Sequence, residues 1–531
     1  MVYTGRPSAG CASCRKSKKR CDQQVPACGR CVRLGKECGG YRDVSDLMFK
    51  DESHSVSKRL NTGTEAGPSS SGRPSPPKRP SPDSETQARK FFFEHFVAAS
   101  YLSSLEGLEL DEFLLQPVLA CALHVMAQRQ GANPIGLEQA RKRYVDAIHR
   151  TNHALRSPES AKHDRSLIAV LLLSTFERLA WDSSMARENW SQHVQGLALI
   201  LQLRGRNQLS DKLGAGLFRD IQSDMIVNSL HNETAVPAYI VEWSQFLDAD
   251  EAHLPIDQIM LIASSIALTR QFFRIRDKVD DELLAIANDL EFNLQKWEEN
   301  TSSNPMFTCR SVQDPSSNNA FAGVRHEYGS PQAFRYWNFW RVLRVLLSRL
   351  QEALWRRSWP VLATPEMPIP QPDHFRSIRN RMVNEICIAT CSVFGNDNAA
   401  QPPSGSVASG QVLLNPLTVA GTCLLETLAE TTISPEGNRL ILLDRPYHLD
   451  PYNQTSTQLA WVVQKVDYLH EKVGIRAARS FSEWLKGEDS EYFDLGRSRL
   501  IRRHELIAAE EEAILDLSSI MGDMGDINMQ L

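Results

Sequence analysis

The chain has 531 residues, of which 42% are hydrophobic and 23% charged, so it can bury a large core and is long enough for more than one domain. Its net charge of −5 is unevenly distributed, because residues 1–42 carry ten Lys or Arg and only two acidic residues. The longest apolar run, Leu167 to Leu173, is far shorter than the roughly 20 residues of a membrane helix, and the N-terminus has no apolar signal core, which predicts neither membrane insertion nor secretion.

The first element along the chain is a cysteine-rich window, residues 11–38, which holds six of the eleven cysteines. Their spacing is C-x2-C-x6-C-x6-C-x2-C-x6-C, so the unit C-x2-C-x6-C occurs twice and implies two matched halves. Zinc takes four sulfur ligands, so six thiolates can serve two zinc ions only if two sulfurs, one from each half, bridge both metals. We therefore predict a binuclear zinc cluster. Its predicted ligands are Cys11, Cys14, Cys21, Cys28, Cys31 and Cys38.

Two other arrangements suit these cysteines less well. A knot of three disulfides needs an oxidising compartment, whereas the chain lacks a signal peptide and continues into a long segment typical of intracellular proteins. A mononuclear four-cysteine finger would leave two thiols without a role. The other five cysteines are scattered, which is typical of buried core residues. They are Cys121, Cys309, Cys387, Cys391 and Cys423.

The window resembles the fungal binuclear zinc cluster DNA-binding domain, whose pattern begins C-x2-C-R-x2-K-x-[KR]-C-D. The matching residues are Cys14, Arg15, Lys18, Arg20, Cys21 and Asp22, with Pro26 between the halves. The resemblance implies that Cys11 and Cys28 bridge the metals and that each half forms a short helix, near 12–18 and 29–34, followed by an extended strand. It also implies that the first helix points its C-terminal end into the major groove over a CGG triplet, where Lys18 contacts bases.

The basic run between Cys14 and Cys21 suits this role chemically. Consecutive guanines present O6 and N7 acceptors in the major groove, and a lysine supplies only donors. Lys18 is the predicted base contact, with Lys19 as an alternative because the family's lysine pair shifts by one position among members. Phosphate contacts supply salt-dependent affinity without reading sequence. They are predicted at Arg15, Lys16, Lys19 and Arg20. The same run is also typical of a nuclear import signal.

Residues 46–90 are predicted to be a connector and flexible linker that follows the zinc cluster domain, residues 1–45. Of the thirty residues 61–90, fifteen are Pro, Ser or Gly, which indicates a flexible, partly extended tether. The segment after Cys38 lacks sustained a/d heptads, so no coiled coil is predicted beside the cluster.

From residue 91 to residue 485 the apolar residues fall at helical spacing between polar, Pro or Gly breaks. The clearest stripe, Trp190, Val194, Leu197 and Leu201, lies on one helix face. No alternating strand series competes with these helical signals. Loops are predicted at 301–332 and 400–412.

Three segments of this region resemble the all-helical regulatory domain found in many fungal zinc cluster factors. They are FFFEHFVA, the W-x2-H-x2-G segment at Trp190, and the W-N-x2-R segment at Trp337. The predicted fold class is therefore a small metal-stabilised binuclear zinc cluster domain plus a large all-α regulatory domain.

The aromatic and leucine stripes predict helix packing rather than a ligand cradle, although a small-molecule effector pocket stays open as an alternative. The sequence contains no Walker motif, no G-x-G-x-x-G after a strand and no G-x-S-x-G elbow, so no enzyme is predicted.

The C-terminal segment, residues 486–531, is acidic. After Arg503 it has seven acidic residues and no Lys or Arg, mixed with Leu, Ile and Met. This mixture is used by activation segments that dock on coactivators, and it is equally typical of a last helix with a frayed end.

Together these features predict a nuclear, zinc-dependent, sequence-specific transcription factor of RNA polymerase II genes that holds two zinc ions. The expected partner is double-stranded DNA with CGG half-sites, with a homodimer and a coactivator as further partners. By likeness to its family, a pathway-specific activator of biosynthetic (secondary-metabolite) or catabolic genes is favoured. The alternatives are a repressor of the same kind and an enzyme that carries a zinc module.

Overall fold

A computed structural model of the chain describes two regions. The first is residues 11–38 apart from 18, 20, 23, 25, 26 and 37. The second comprises residues 82–97, 102, 105, 107, 109–180, 184–247, 254–276, 281–315, 320–362, 372–391, 406–431 and 454–486. Buried side chains form two separate clusters, a small one of N-terminal cysteines and a large one that runs from Ala88 to Leu485. The acidic C-terminal segment, beyond residue 486, lies outside the described residues, as does most of the linker.

The N-terminal region contains two five-residue helices, α1 (Ala12–Lys16) and α2 (Gly29–Arg33). Both lie where short helices were predicted, and each ends one or two residues earlier. Helices of this length do not form by themselves in water, because nucleation costs more than one turn of hydrogen bonds returns. Their position must therefore be fixed by side chains, and the cysteines are the buried residues available.

The second region is built from helices. In chain order they are α3 (Pro82–Phe92), α4 (Glu112–Arg129), α5 (Pro134–Leu155), α6 (Pro158–Ala161), α7 (Asp164–Ala180), α8 (Ser184–Arg204), α9 (Lys212–Asn232), α10 (Ala238–Ser244), α11 (Leu254–Ile275), α12 (Asp281–Ser302), α13 (Pro331–Leu362), α14 (Pro372–Thr390), α15 (Ser406–Thr431), α16 (Gln454–Tyr468) and α17 (Ala477–Leu485). Single π turns follow α3 and α16, at Phe93–Val97 and Leu469–Val473, and 3-10 turns lie at Arg206–Ser210 and Pro305–Phe307. Helix α3 begins at Pro82, inside the segment predicted as linker.

Local sequence signals mark several helix starts. The Asp111 carboxylate accepts a hydrogen bond of 2.8 Å from the Leu114 N–H at the start of α4. The Asp211 carboxylate accepts one of 3.0 Å from the Gly214 N–H at the start of α9. Each cap satisfies a backbone donor that has no partner within the helix.

The helices pack around two buried helices, α4 and α13. Thirteen of the eighteen residues of α4 are buried, and α4 packs against α5 and α7. Helix α13 packs against α12, α14 and α15. Its buried Trp337 and Trp340 indoles donate hydrogen bonds of 2.7 and 2.9 Å to the carbonyls of Phe307 and Leu294. A buried indole N–H needs a hydrogen-bond acceptor. These two bonds therefore help to fix the position of α13 against the segments that carry Phe307 and Leu294.

One element differs from the all-helical prediction. Strands β1 (Cys309–Gln313) and β2 (Val324–Tyr328) pair as an antiparallel hairpin, with Cys309 opposite Tyr328. They lie in the segment 301–332 that was predicted as a loop, so the expectation of no strands was wrong here. The reason is that the strands are short and polar, and their position depends on contacts with α13 and α14 rather than on apolar alternation.

Helix α15 contains a 22-residue stretch, Val407–Leu428, that is long and apolar enough to cross a membrane. In its most apolar window 61% of the residues are buried, against α13, α14, α16 and α17 among others. Its apolar composition is therefore explained by its burial in the core of the helical region.

Candidate metal centre and DNA-binding surface

The six N-terminal cysteines converge between α1 and α2. Their Sγ atoms form two groups of four, and within each group all atoms lie within 4.8 Å of one another. The first group is Cys11, Cys14, Cys21 and Cys28, and the second is Cys11, Cys28, Cys31 and Cys38. Both groups therefore share one sulfur from each half, Cys11 and Cys28.

The sulfur spacing matches zinc coordination. A tetrahedral zinc with Zn–S bonds of about 2.3 Å holds its sulfurs about 3.8 Å apart. The Sγ atoms of Cys11 and Cys28 are 3.7 Å apart, those of Cys14 and Cys28 are 3.7 Å apart, and those of Cys11 and Cys31 are 3.8 Å apart. The first of these pairs belongs to both groups of four, the second to the first group only and the third to the second group only. All three distances are close to the value expected around zinc, so the residues present fit two zinc ions.

Two of the crowded thiols, Cys14 and Cys31, have raised pKa values. Burial, followed by hydrogen bonds with neighbouring thiols, raises the pKa of Cys14. Hydrogen bonding with Cys28, followed by burial, raises the pKa of Cys31 to about 12. Zinc ligands must be thiolates, so metal binding at this centre releases protons and is weakened by acid.

The two halves repeat the same backbone arrangement. The N–H of Cys14 donates to the sulfur of Cys11 over 3.4 Å, and the N–H of Cys31 donates to that of Cys28 over 3.3 Å. The N–H of Lys19 donates to the Cys14 carbonyl over 3.1 Å, and the N–H of Lys36 donates to the Cys31 carbonyl over 3.0 Å. The doubled spacing of the sequence thus corresponds to a local pseudo-two-fold structure.

The surfaces of the two halves differ in charge. Five of the six residues between Cys14 and Cys21 are basic, whereas the matching six between Cys31 and Cys38 include two basic residues and one acidic residue. Lys16 and Lys19 are exposed at and beyond the end of α1. Lys18 and Arg20 lie outside the described residues, and Arg15 is described only as a position in α1.

An aspartate links the two halves. The Asp22 carboxylate accepts hydrogen bonds of 3.1 and 3.0 Å from the Gly29 N–H, at the start of α2. A Cβ atom at residue 29 would lie 2.6 Å from this carboxylate, so any larger residue at position 29 would displace the Asp22 side chain from this contact. Asp22 matches the family pattern, but no role was predicted for it, because a separation of seven residues does not indicate which N–H the carboxylate contacts.

The W-x2-H-x2-G segment contributes to packing on α8. Trp190 is buried, and His193 Nε2 lies 3.4 Å from the hydroxyl of Tyr144, which donates a hydrogen bond to Glu177. Burial lowers the pKa of His193 to about 4, so its ring is neutral near pH 7.

The W-N-x2-R segment places Arg341 in a buried cluster under the hairpin. The Arg341 side chain is 1% exposed and donates hydrogen bonds of 3.1 Å to the Tyr328 hydroxyl and to Nδ1 of His326. Nε2 of His326 lies 3.2 Å from the Glu385 carboxylate, which is also 3.5 Å from Arg341. This cluster joins α13, α14 and β2.

Comparison with known proteins agrees with the N-terminal geometry. Residues 9–47 match the family model of the fungal Zn(2)-Cys(6) binuclear cluster domain. White-opaque regulator 2 of Candida albicans is 37% identical over 64 residues, which are 12% of this chain and 14% of that protein. No solved structure matches the chain. Residues 9–47 are therefore similar in sequence to the fungal binuclear zinc cluster domain, a module that binds two zinc ions and DNA in transcription regulation, and their six cysteines form two four-sulfur groups that could each hold a metal ion.

Proposed function

We propose that the protein is a sequence-specific transcription factor of the nucleus whose zinc cluster reads CGG triplets. The observation that carries this proposal is the pair of four-sulfur groups that share Cys11 and Cys28, in a segment with five basic residues between Cys14 and Cys21. A zinc-held scaffold that carries such a basic run is suited to binding in the major groove of DNA.

In this proposal the six cysteines hold the metals, and Cys11 and Cys28 bridge them. Bound zinc supplies the charge that keeps thiolates at this spacing and the folding free energy of a segment too small for an apolar core. The chain contributes the N–H groups of Cys14 and Cys31, which donate to the two shared sulfurs and orient them.

We assign the base contact to Lys18 and the phosphate contacts to its basic neighbours. The exposure of Lys16 and Lys19 supports their assignment as phosphate contacts. The position in the second half that matches Lys18 is Gly35, which has a φ of +60° and no side chain to reach a base. This asymmetry favours the first half as the half that reads DNA.

The helical region and the C-terminal segment complete the proposal. We assign regulation or dimerisation to the helical region and coactivator docking to residues 486–531. The cluster domain supports a role in transcription rather than catalysis. By family likeness we favour a pathway-specific activator of biosynthetic or catabolic genes.

Quantitative DNA binding by the full-length, zinc-loaded protein tests the central step. Fluorescence anisotropy compares a duplex with CGG half-sites with a scrambled duplex of equal length, at a fixed salt concentration. We expect Lys18→Ala to reduce the discrimination between the two by about 1–3 kcal/mol. The control is Lys36→Ala in the second half, at the position that matches Lys19, and it should weaken binding to both duplexes equally or not at all.

Two results would oppose the proposal. Equal affinity of the unaltered protein for both duplexes would remove sequence-specific reading of CGG. An equal loss on both duplexes in Lys18→Ala would make Lys18 a phosphate contact.

Whether the protein activates or represses its target genes needs a separate experiment. We expect genome-wide occupancy of the tagged protein to give peaks that contain CGG beside genes whose transcripts fall when its gene is deleted. Transcripts that rise instead would make the protein a repressor.

A further inference from the structure

A cavity of about 280 Å³ lies inside the helical region. Side chains from α7, α8, α9, α11, α13, α15 and α17 line it, so it joins segments that are far apart in the chain, from Arg178 to Phe481. Much of its wall is apolar and includes Met260, Phe339 and Phe481. Its volume is close to the lower end of the range of small-molecule sites, about 300–1,000 Å³.

Polar atoms without a protein partner line the same cavity. Trp190 is 3% exposed and Asp224 is 4% exposed, yet Nε1 of Trp190 and Oδ2 of Asp224 have no hydrogen-bond partner among the described residues. The other Asp224 oxygen accepts a hydrogen bond of 2.8 Å from Arg178. Both side-chain polar atoms of Gln411 are also buried without a partner there. Buried polar groups are nearly always hydrogen-bonded, so this concentration in one cavity indicates a polar occupant.

Helix α15 adds a backbone acceptor. Pro416 lies inside α15 and has no N–H, so the carbonyl of Val412 loses the donor that a regular helix would provide. Val412 and Pro416 both line the cavity. The wall therefore offers an indole donor, a carboxylate acceptor and a helix turn that lacks one backbone hydrogen bond.

Basic groups in the wall suit an acidic ligand. Two arginines, Arg178 and Arg335, line the cavity beside the carboxylate of Asp224. A carboxylate on the ligand would lie near these arginines and accept a hydrogen bond from the indole of Trp190. A hydroxyl on the ligand would donate to the unpartnered oxygen of Asp224.

We propose that this cavity binds a small aromatic hydroxy acid, with its ring against Phe339 and Phe481 and its polar groups on Trp190 and Asp224. Because the wall unites helices from α7 to α17, bound ligand stabilises the packing of these helices against one another. This ligand site goes beyond the proposed DNA-reading function, and its binding can be measured without DNA.

Isothermal titration calorimetry of the full-length, zinc-loaded protein provides the test. The probe is 6-hydroxy-2-naphthoate, compared with 2-naphthoate, which lacks the hydroxyl, and with 2-naphthol, which lacks the carboxylate. We expect the hydroxy acid to bind about tenfold more tightly than either analogue, because each lost group leaves a buried partner unsatisfied.

Two variants locate the binding. Trp190→Phe keeps an aromatic ring and removes the N–H donor, and should weaken binding of the hydroxy acid about fivefold. Val412→Phe should fill part of the cavity and abolish binding. Ile135→Phe, at a site that is 70% exposed, is the control and should bind like the unaltered protein. Thermal unfolding of each variant verifies that the fold is retained.

Several results would overturn the proposal. Absence of binding by all three probes, together with greater thermal stability of Val412→Phe, would make the cavity a void or a water site only. Equal binding of the hydroxy acid and both analogues would remove the assigned ligand class. Unchanged binding in a folded Trp190→Phe would place the probe elsewhere, even if Val412→Phe failed to fold.

Discussion

The buried cluster under the hairpin gives a prediction whose size follows from the structure. The Glu385 side chain is 29% exposed and is the carboxylate that faces the buried Arg341 and His326. Burial by itself raises the pKa of Glu385, but the hydrogen bond from His326 and the charge of Arg341 outweigh burial and lower it from 4.5 to about 2. Glu385 is therefore ionised throughout the neutral range and supplies the countercharge of Arg341.

Replacing this carboxylate by an amide, Glu385→Gln, should destabilise the helical region. A pKa of about 2 in the folded chain, compared with about 4.3 in the unfolded chain, corresponds to about 3 kcal/mol at pH 7. The cost of removing one partner of a fully buried ion pair, about 3–5 kcal/mol, is of similar size. Because Glu385 is partly exposed, we expect a loss of about 2–3 kcal/mol in the free energy of unfolding.

Denaturant unfolding of both proteins, followed by tryptophan fluorescence, measures this difference. The control is Glu327→Gln on the same hairpin, where the carboxylate is 52% exposed and pairs with Arg325 over 2.6 Å. An exposed pair contributes about 0–1 kcal/mol, so this control should stay close to the unaltered protein. The advantage of Glu385 should be lost as the pH falls from about 4.3 towards 2, because the unfolded chain takes up the proton first. A loss in Glu385→Gln no greater than in the control would refute this reasoning.

Three further predictions concern the metal centre and the core. Cys11→Ala should lose both zinc ions and Cys38→Ala only one by native mass spectrometry, and equal counts in the two variants would contradict the shared sulfur. Gly29→Ala should displace the Asp22 cap and lower zinc affinity about tenfold in a chelator competition, and unchanged affinity would dismiss the cap. Burial lowers the pKa of His124 to about 3. The unfolded chain therefore binds its proton first as the pH falls below about 6.5, and His124 should cost about 2 kcal/mol between pH 7 and pH 5. A pH dependence of unfolding that is the same in His124→Gln would contradict this.

The cysteine spacing allowed the metal centre to be predicted because each half is local. A C-x2-C pair spans one helical turn, so α1 and α2 need little long-range information to present their sulfurs. The stripe from Trp190 to Leu201 likewise predicts its own burial, and Trp190, Val194, Leu197 and Leu201 are all at most 3% exposed.

Features that depend on contacts between distant parts of the chain could not be predicted from the sequence pattern. The strands of the hairpin, CRSVQ and VRHEY, alternate poorly, and β2 is positioned by polar contacts with Arg341 and Glu385. The cavity could not be predicted either, because its lining comes from seven helices, and the apolar stripe of each helix taken alone indicates only packing. The capping of α2 by Asp22 also requires the loop between the halves to fold before it can be recognised.

The matched backbone of the two halves has a consequence for how this domain can change. The sulfurs and the N–H groups that orient them are the same in both halves, whereas the residues between the cysteines differ freely in charge and size. Metal binding thus depends on positions that are the same in both halves, whereas the proposed DNA contacts lie at positions that differ between them. If residues 15–20 contact DNA as proposed, substitutions there would change which DNA sequence is bound while the six zinc ligands stay in place.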